Sequence, residues 1–472
     1  MRTFRHYHPD QALLLPPLLR DWLPEGHLAH FVSDVVDTLN LSPVLEVYAS
    51  QDGRGQPPYH PRLMVKLLVY GYCTGVVSSR KMERATWEDL PFRVLATDQH
   101  PDHDSIAAFR QRHLAALAGL FLEVLRLCEK AGLVKLGQVA VDGTKLKANA
   151  SKHKAMSYGR MEEKEEQIQA EIAALLERAA AVDQAEAAAE QAAGGPGEDL
   201  PEELQRRESR LAKIRAAKAE LEAEARARAE EEAAAVREQL AERERQAAAT
   251  GKKPRGRAPV VPDPQQAKPD PKAQKNFTDP ESRIMKDGAS GGFVQGYNAQ
   301  AAVDGTAQVI VAAAVTQQAG DQQQLVPMLT KTKEHLGRMP KQGLADTGYF
   351  SAAAVSDPAL ADTELYVPPR RRSSKAAGSA AGAVVTQTLP AQASVAEGMR
   401  ERLATPEGKA AYAQRKAIVE PVFGQIKDVR GFRRFSFRGL AKVTAEWLVI
   451  CLTHNLLKLF RSGGWRSGLA VA

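Results

Sequence analysis

Two apolar runs that end in aspartate, followed by a helix-like stretch that carries a glutamate, constrain this chain more than any other feature. Gln138-Val139-Ala140-Val141 leads into Asp142, and Gln342-Gly343-Leu344-Ala345 leads into Asp346 and Thr347-Gly348-Tyr349-Phe350. Arg415-Lys416-Ala417-Ile418-Val419 leads into Glu420, followed by Pro421-Val422-Phe423-Gly424. A fold that uses all three must bring two strand ends together and lay a helix beside them. Two strand-borne aspartates and a helix-borne glutamate, in that order, are what a two-metal phosphoryl-transfer site requires. One ion activates the attacking oxygen and the other stabilises the leaving oxygen. Mg²⁺ is held by few carboxylates plus phosphate oxygens. Either aspartate alone would read as a turn residue; the ordered trio with its flanks is more specific.

The pentapeptide Ala-Val-Asp-Gly-Thr occurs twice, at 140–144 and 302–306, so Asp142 or Asp304 can supply the first acid. An RNase H-like core carries its first acid on strand one and its second on strand four, which are neighbours in the sheet. Asp142 leaves room for two strands before Asp346, whereas Asp304 leaves only one. Asp304-Gly305 also lies between the strand-like runs 296–303 and 308–315, where Asp-Gly closes a hairpin. Asp142 is therefore assigned to the metals and Asp304 to the turn.

Lys and Arg number 64 against 57 Asp and Glu, a net charge of +7 with a pI near 9.1. The middle of the chain is rich in Glu, so the basic excess lies elsewhere and suits a polyanionic partner. A basic soluble protein with no nucleic-acid partner would have the same composition. Cys73, Cys128 and Cys451 match no zinc or disulfide spacing and read as buried thiols in a reducing compartment. The N-terminus opens no signal peptide. The run from Trp447 to Phe460 carries His454, Asn455 and Lys458 and is too short to span a bilayer. A soluble, cytoplasmic chain with no membrane partner is expected.

A chain of 472 residues predicts two or three domains. Residues 1–133 read as an all-helical domain. Leu28, Phe31, Val32, Val35, Val36 and Leu39 recur at helical spacing, Pro61 opens a buried helix, Ser78-Ser79-Arg80-Lys81 begins another, and Asp104-Ser105 caps a third. Arg80, Lys81, Arg84, Arg110 and Arg112 on polar faces suggest a helix-turn-helix, although solvated helix faces carry Arg just as often. Residues 134–158 begin an α/β core. Residues 159–275 are of low complexity: Ile168, Ile172 and Leu175, then Leu211, Ile214 and Leu221, flank Gly194-Gly195-Pro196-Gly197. Two helices joined by a breaker predict an antiparallel coiled-coil hairpin. The stretch Thr250 to Lys275, rich in Pro, Lys and Arg, reads as a disordered return linker. Residues 276–438 resume the core with a loose insertion at 371–398, and 439–472 form a C-terminal helix and tail.

Tyr412, Lys416, Glu420 and Lys427 are spaced four, four and seven and share one helical face. An acid flanked by cations suits a metal ligand beside a DNA backbone; an ordinary exposed helix laced with salt bridges has the same pattern. Pro421 disfavours helical geometry at Glu420. His100, Asp102, His103 and Asp104 look like a metal cluster but read better as a helix N-cap. Arg370-Arg371-Arg372 and Arg430, Arg433, Arg434 and Arg438 are further phosphate-directed candidates. Phe432, Phe435 and Phe437 among them read as core packing rather than base stacking.

With these residues in view the chain resembles bacterial insertion-sequence transposases of the DDE class, in particular the insertion-sequence eleven-eighty-two group. The segments that carry the resemblance are Tyr59-His60-Pro61-Arg62-Leu63-Met64, His103-Asp104-Ser105-Ile106 through Phe109-Arg110, Asp142-Gly143-Thr144, Gly296-Tyr297-Asn298, Ala345-Asp346-Thr347-Gly348-Tyr349 and Val419-Glu420-Pro421-Val422-Phe423-Gly424. Related enzymes carry Tyr-x2-Arg-x3-Glu-x6-Lys. Here Tyr412-x2-Arg415 and Glu420-x6-Lys427 fit, but Arg415 to Glu420 is one residue too long, and Lys416 has the right spacing instead.

The resemblance implies an RNase H-like (retroviral-integrase-like) catalytic core with Asp142, Asp346 and Glu420 as catalytic metal ligands. It implies two Mg²⁺ ions, with Mn²⁺ able to substitute, and DNA as partner through element ends and target. Tyr412, Arg415, Lys416, Lys427, Arg370, Arg371, Arg433, Arg434, Arg80 and Arg110 are its expected DNA contacts. A homodimer in a synaptic complex and a nucleoid-associated bacterial location follow. An RNase H-like nuclease without strand transfer, a domesticated DNA-binding protein and a coiled-coil scaffold are the alternatives; the last accounts only for the middle of the chain.

Overall fold

A computed structural model describes residues 18–49, 57–189, 200–250, 258–287, 291–370 and 390–463. The chain divides into two compact units, one of Met1–Leu146 with Tyr297–Ala472 and one of Lys147–Gly296. The expected boundaries near 133 and 439 therefore fall inside the first unit. Arg371, Arg372, Gly194-Gly195-Pro196-Gly197 and most of the 371–398 insertion lie outside the described residues.

In chain order the helices are α1 (Leu28–Thr38), α2 (Ser42–Ala49), α3 (Pro61–Thr74), α4 (Ser79–Glu88), α5 (Leu90–Leu95), α6 (His103–Lys130), α7 (Tyr158–Ala189) and α8 (Leu200–Thr250). They continue with α9 (Leu325–Leu336), α10 (Ala352–Val355), α11 (Pro390–Ala404), α12 (Pro406–Gly424) and α13 (Leu440–Ser462). The strands are β1 (Gln138–Lys147), β2 (Ala155–Ser157), β3 (Gln274–Asn276), β4 (Arg283–Lys286), β5 (Phe293–Asp304), β6 (Ile310–Thr316), β7 (Gln342–Ala345) and β8 (Glu364–Tyr366).

In the first unit the strands lie in the order β6–β5–β1–β7–β8. β5 and β6 pair antiparallel, while β1 with β7 and β7 with β8 pair parallel. The sheet interior is nearly continuous in small and β-branched residues: Val139, Ala140, Val141, Ala301, Ala302, Val303, Val311 and Ala312 are all fully buried. Strands covered on both faces read as unbroken apolar runs, not as alternation.

The helices around this sheet share its core. α6 packs along α13, so the N-terminal helical segment and the sheet-bearing segment are not separate bodies. α1 buries Phe31, Val32, Val35 and Val36, the face its spacing predicts. Pro61 opens α3, and Gly75 ends it at φ 83°, where a Cβ would stand 2.6 Å from the Arg430 carbonyl. The cap of α6 is Asp102 rather than Asp104: Asp102 accepts from Ser105 N at 2.8 Å and Ser105 Oγ at 2.7 Å. His100 stacks on Trp87 and His103 pairs with Glu83 at 2.7 Å, so these histidines serve local packing and pairing.

α13 is the one described helix long and apolar enough to cross a membrane, and 78% of that window is buried inside the protein. Its polar residues are bound to the fold. Trp447 Nε1 donates to Gln300 O, and Asn455 both accepts from Ile310 N and donates to Ile310 O at 2.8 Å. Burial pushes His454 down to about 3, and its Nε2 donates to Gln308 O at 2.9 Å. The three cysteines are buried free thiols.

The second unit is built on the helical hairpin. Tyr158, Met161 and Ile168 of α7 pack on Leu211, Ile214, Ala217 and Leu221 of α8. Arg215 and Lys218 pair with Glu165 at 2.9 and 3.2 Å along its edge. The expected disordered return linker is ordered where described, from residue 258 onward. β3 pairs antiparallel with β2, Met156 opposite Lys275. Lys275 is buried between Glu220 and Glu224 at 2.7 and 2.8 Å. Composition missed this because the stretch is held by partners distant in sequence: ion pairs to α8, backbone bonds to β2 and the start of α7, and packing of Ala273 on the hairpin core.

Candidate active site

Parallel pairing of β1 with β7 sets Val141 opposite Ala345, so Asp142 and Asp346 follow side by side on adjacent strands. Asp142 Oδ1 accepts from Gly143 N at 2.8 Å, and Asp346 Oδ1 accepts from Gly348 N at 2.8 Å, capping a single 3-10 turn. Asp304 sits elsewhere. Fully buried, it accepts from Leu136 N at 2.7 Å, Lys135 N at 3.3 Å and Thr306 N at 2.8 Å, tying the β5–β6 turn to the start of β1.

Arg415 reaches Asp142 from α12. Its Nη1 stands 3.2 Å from Asp142 Oδ2, both side chains are largely buried, and its Nε has no hydrogen-bond partner. Burial pushes the Asp142 carboxyl up to about 6, and the nearby Asp346 and Asp321 carboxylates add to the rise; Gly143 N–H and Arg415 oppose it. The charged groups that act on Asp142 are one guanidinium in contact and two further carboxylates.

Beneath the pair lies a polar layer that sequence reasoning did not single out as site residues. Asn298 and Gln300 are neighbours two apart on β5 and share one face, fully buried. Both donate to Asp321 Oδ1, at 2.6 and 2.7 Å, and Lys145 Nζ approaches the same oxygen at 3.4 Å. The Tyr349 hydroxyl donates to Gln300 Oε1. Burial, then Asp321, Asp142 and Asp346, hold this phenol well above its ordinary range. Gly143 lies against the layer: a Cβ there would stand 2.3 Å from Gln300 Nε2 and 2.9 Å from Asp321 Oδ1. The available signal was Asn298 and Gln300 themselves, a polar pair inside an apolar strand, which needs partners once buried.

The face of α12 that packs inward is Ala411, Arg415, Ile418, Val419 and Val422. Lys416 and Glu420 are exposed on another face, and Tyr412 is half-buried. The structure thus brings Asp142, Asp346 and Arg415 together and leaves Glu420 and Lys416 facing solvent. α12 runs through Pro421 without ending. Proline removes the N–H that would serve Ala417 O, and Gln308 Nε2 donates to that carbonyl instead, at 2.8 Å. Past Gly424 the backbone loosens into a π turn, Gln425–Val429, from which Lys427 Nζ donates to Thr144 Oγ1 at 3.0 Å.

The remaining cations divide by burial. Arg80, Arg370, Arg433 and Arg434 are exposed, Arg433 beside Asp428. Arg110 is turned inward: it donates to Val77 O at 2.7 Å and lies over the Phe437 ring. Arg430 is buried, donating to Thr453 Oγ1 at 2.8 Å and to the Ile450 carbonyl; burial lowers it to about 10. Both arginines donate to carbonyls or hydroxyls within the fold. Phe432, Phe435 and Phe437 are buried core residues.

The donor set fits a divalent ion at the Asp142–Asp346 pair. Mg²⁺ takes one or two carboxylates and completes its shell with water and phosphate oxygens. Asp346 and Asp321, the carboxylates near Asp142, both raise its proton affinity, though less than burial does. Among the described residues no three His, Cys, Asp or Glu side chains are gathered closely enough to hold one ion. The pair alone carries the fit.

Two family models match this chain. One, described as "Transposase domain (DUF772)", covers residues 17–112, and the other, "Transposase DDE domain", covers residues 372–460. The second spans Tyr412, Arg415, Lys416, Glu420 and Lys427 but neither Asp142 nor Asp346. No curated protein and no solved structure matches. Both matches are to transposase domains, and together they support an insertion-sequence DDE transposase, an enzyme that acts on DNA; DDE domains generally work with divalent metal ions.

Proposed function

We propose that this transposase cleaves DNA at insertion-sequence ends and joins the freed 3′-hydroxyl to target DNA, using Mg²⁺, for which Mn²⁺ can substitute. The observation that carries the reading is the register of β1 on β7, which sets Asp142 beside Asp346. The strand order β6–β5–β1–β7–β8, two antiparallel strands leading into three that pair in parallel, supports an RNase H-like core. A divalent ion held by the pair supplies an activated oxygen nucleophile and charge neutralisation at the scissile phosphate.

The chain's own residues do the rest. Arg415 holds Asp142 through Oδ2 and fixes its rotamer; the Gly143 and Gly348 N–H groups hold the inner carboxylate oxygens. Their outer lone pairs are thereby directed to one side. Lys427, at Thr144, places a cation on the strand that bears Asp142 and is our choice for a backbone phosphate near the cut. Glu420 is our third acid. It lies on α12 just before Pro421 and the π turn, where the helical ladder is already interrupted and the carboxylate can be re-aimed when DNA binds. Tyr412, Lys416, Arg370, Arg371, Arg433, Arg434 and Arg80 are proposed DNA contacts; Arg110 is withdrawn from that set because it is committed to Val77 O and the Phe437 ring. A homodimer bridging two ends, at the bacterial nucleoid in the cytoplasm, completes the reading.

The test is cleavage of a duplex carrying an element end, with Mg²⁺ and with chelator. Asp142→Asn, Asp346→Asn and Glu420→Gln are expected to bind this duplex as wild type does and to cut nothing. Cleavage that survives in Asp142→Asn, or that proceeds under chelation, rules the mechanism out. Cut ends that are never joined to target favour the nuclease reading.

A further inference from the structure

Asp321 belongs to no motif recognised in the sequence and to no pair described above, yet it stands against the acid pair. It follows β6 in Gln317-Gln318-Ala319-Gly320-Asp321. One of its oxygens, Oδ1, gathers Asn298 Nδ2, Gln300 Nε2 and Lys145 Nζ. Among the described residues no hydrogen bond is recorded to the other, Oδ2. That oxygen lies 3.9 Å from the Cβ position of Gly348, which is itself 2.9 Å from Asp346 Oδ1. Asp321 therefore has one oxygen committed to the fold and one turned toward the side where Asp346 is capped.

Two connections run from Asp321 to Asp142. Lys145, held by Asp321, is three residues along β1 from Asp142. Gly143, whose N–H holds Asp142 Oδ1, rests on the Asp321–Asn298–Gln300 layer with no room for a methyl group. A neutral amide would satisfy Asn298 and Gln300 equally well, since each needs only one acceptor there. The hydrogen bonds by themselves therefore do not require a charge there, and Lys145 stands 3.4 Å from the same oxygen.

We propose that Asp321 is a positioning residue of this active site: it fixes the Gly143–Lys145 stretch of β1 and keeps a carboxylate beside the Asp142–Asp346 pair, so that a divalent cation binds there. The proposal rests on the metal-dependent reading given above. Groups that orient metal ligands from behind typically change metal affinity or activity by about 10- to 100-fold when altered.

The test uses the full-length chain without DNA first, reading the rise in melting temperature as Mn²⁺ is added. Asp321→Asn keeps the shape and the Oδ1 acceptor and removes only the charge. It is expected to melt as wild type does without metal, while its Mn²⁺ midpoint rises by about 10- to 100-fold. Asp321→Glu restores charge and is expected to recover part of that loss, which a purely structural role would not produce. Cleavage by Asp321→Asn is expected to fall through kcat at saturating DNA. A wild-type Mn²⁺ midpoint and cleavage rate in Asp321→Asn overturn the proposal. If Asp142→Asn abolishes the Mn²⁺ response and Asp321→Asn leaves it unchanged, the metal reading stands and this inference falls. A wild-type chain with no Mn²⁺ response overturns both.

Discussion

The same five residues, Ala-Val-Asp-Gly-Thr, occur at 140–144 and at 302–306 and meet opposite fates. In the first copy the strand runs on past the aspartate, and Asp142 stands beside another acid with a guanidinium on its outer oxygen. In the second copy the strand stops, and Asp304 turns inward to take three backbone N–H groups. One carboxylate is held by a single backbone N–H and a guanidinium; the other is saturated with backbone donors. What differs is the neighbouring strand. β1 has β7 beside it and β5 has β6 folding back onto it. Identical local chemistry becomes a site or a brace according to which backbone stands next to it.

The sharpest separation is expected at the aspartates. Asp142→Asn should abolish cleavage without unfolding the chain, and Asp304→Asn should lower stability while the folded fraction still cleaves. Replacing an acceptor of three N–H groups with an amide that can turn a donor toward them costs about 1–3 kcal/mol of stability. Measuring cutting and melting on both variants checks this; if both lose activity equally, the division between site and brace is wrong.

Asp142 also carries a pH dependence. Asp142 rises from 3.8 to about 6 on folding, so it binds its proton more tightly in the folded state. Its stabilising contribution is full below pH about 4 and is lost as pH rises through about 6, up to about 3 kcal/mol. Asp142→Asn, neutral at every pH, should melt like wild type near pH 4 and higher than wild type above pH 6, in metal-free buffer. A difference that is flat across that window would show that Asp142 is not the crowded acid described here.

The glycines of the two copies should diverge by less. Gly143→Ala forces a methyl group to 2.3 Å from Gln300 Nε2 and into the hub around Asp321, whereas Gly305→Ala meets the flexible end of Ile418 at 3.1 Å. The first is expected to cost about 1–3 kcal/mol and most of the activity, the second clearly less. Urea melts of the two proteins decide the order.

Smallest of all is the contrast between neighbours on α12. Arg415→Ala removes the partner of Asp142 and should lower stability and cleavage together. Lys416→Ala should leave melting unchanged and flatten the salt dependence of DNA binding by roughly one unit of slope. If Lys416→Ala leaves the slope as it was, the exposed face of α12 is not the DNA-facing one.

Much of this protein was fixed by local sequence. Pro61, the apolar spacing of α1 and the paired heptad-like runs of α7 and α8 place those helices, because each signal acts within a few residues of itself. That Asp142 rather than Asp304 would stand beside Asp346 was also within reach, since strand counting limits which ends can be neighbours. Tertiary structure alone decided the rest. Arg415 faces Asp142 and Lys416 faces water because α12 buries Ile418, Val419 and Val422, which helical spacing allows but does not orient. Lys275 is held by Glu220 and Glu224, more than fifty residues away. Asp321 stands beside Asp142 although 179 residues separate them. No local rule reaches that far: a buried polar group takes whichever partner the packed strands bring within 3 Å, and only the assembled sheet determines which that is.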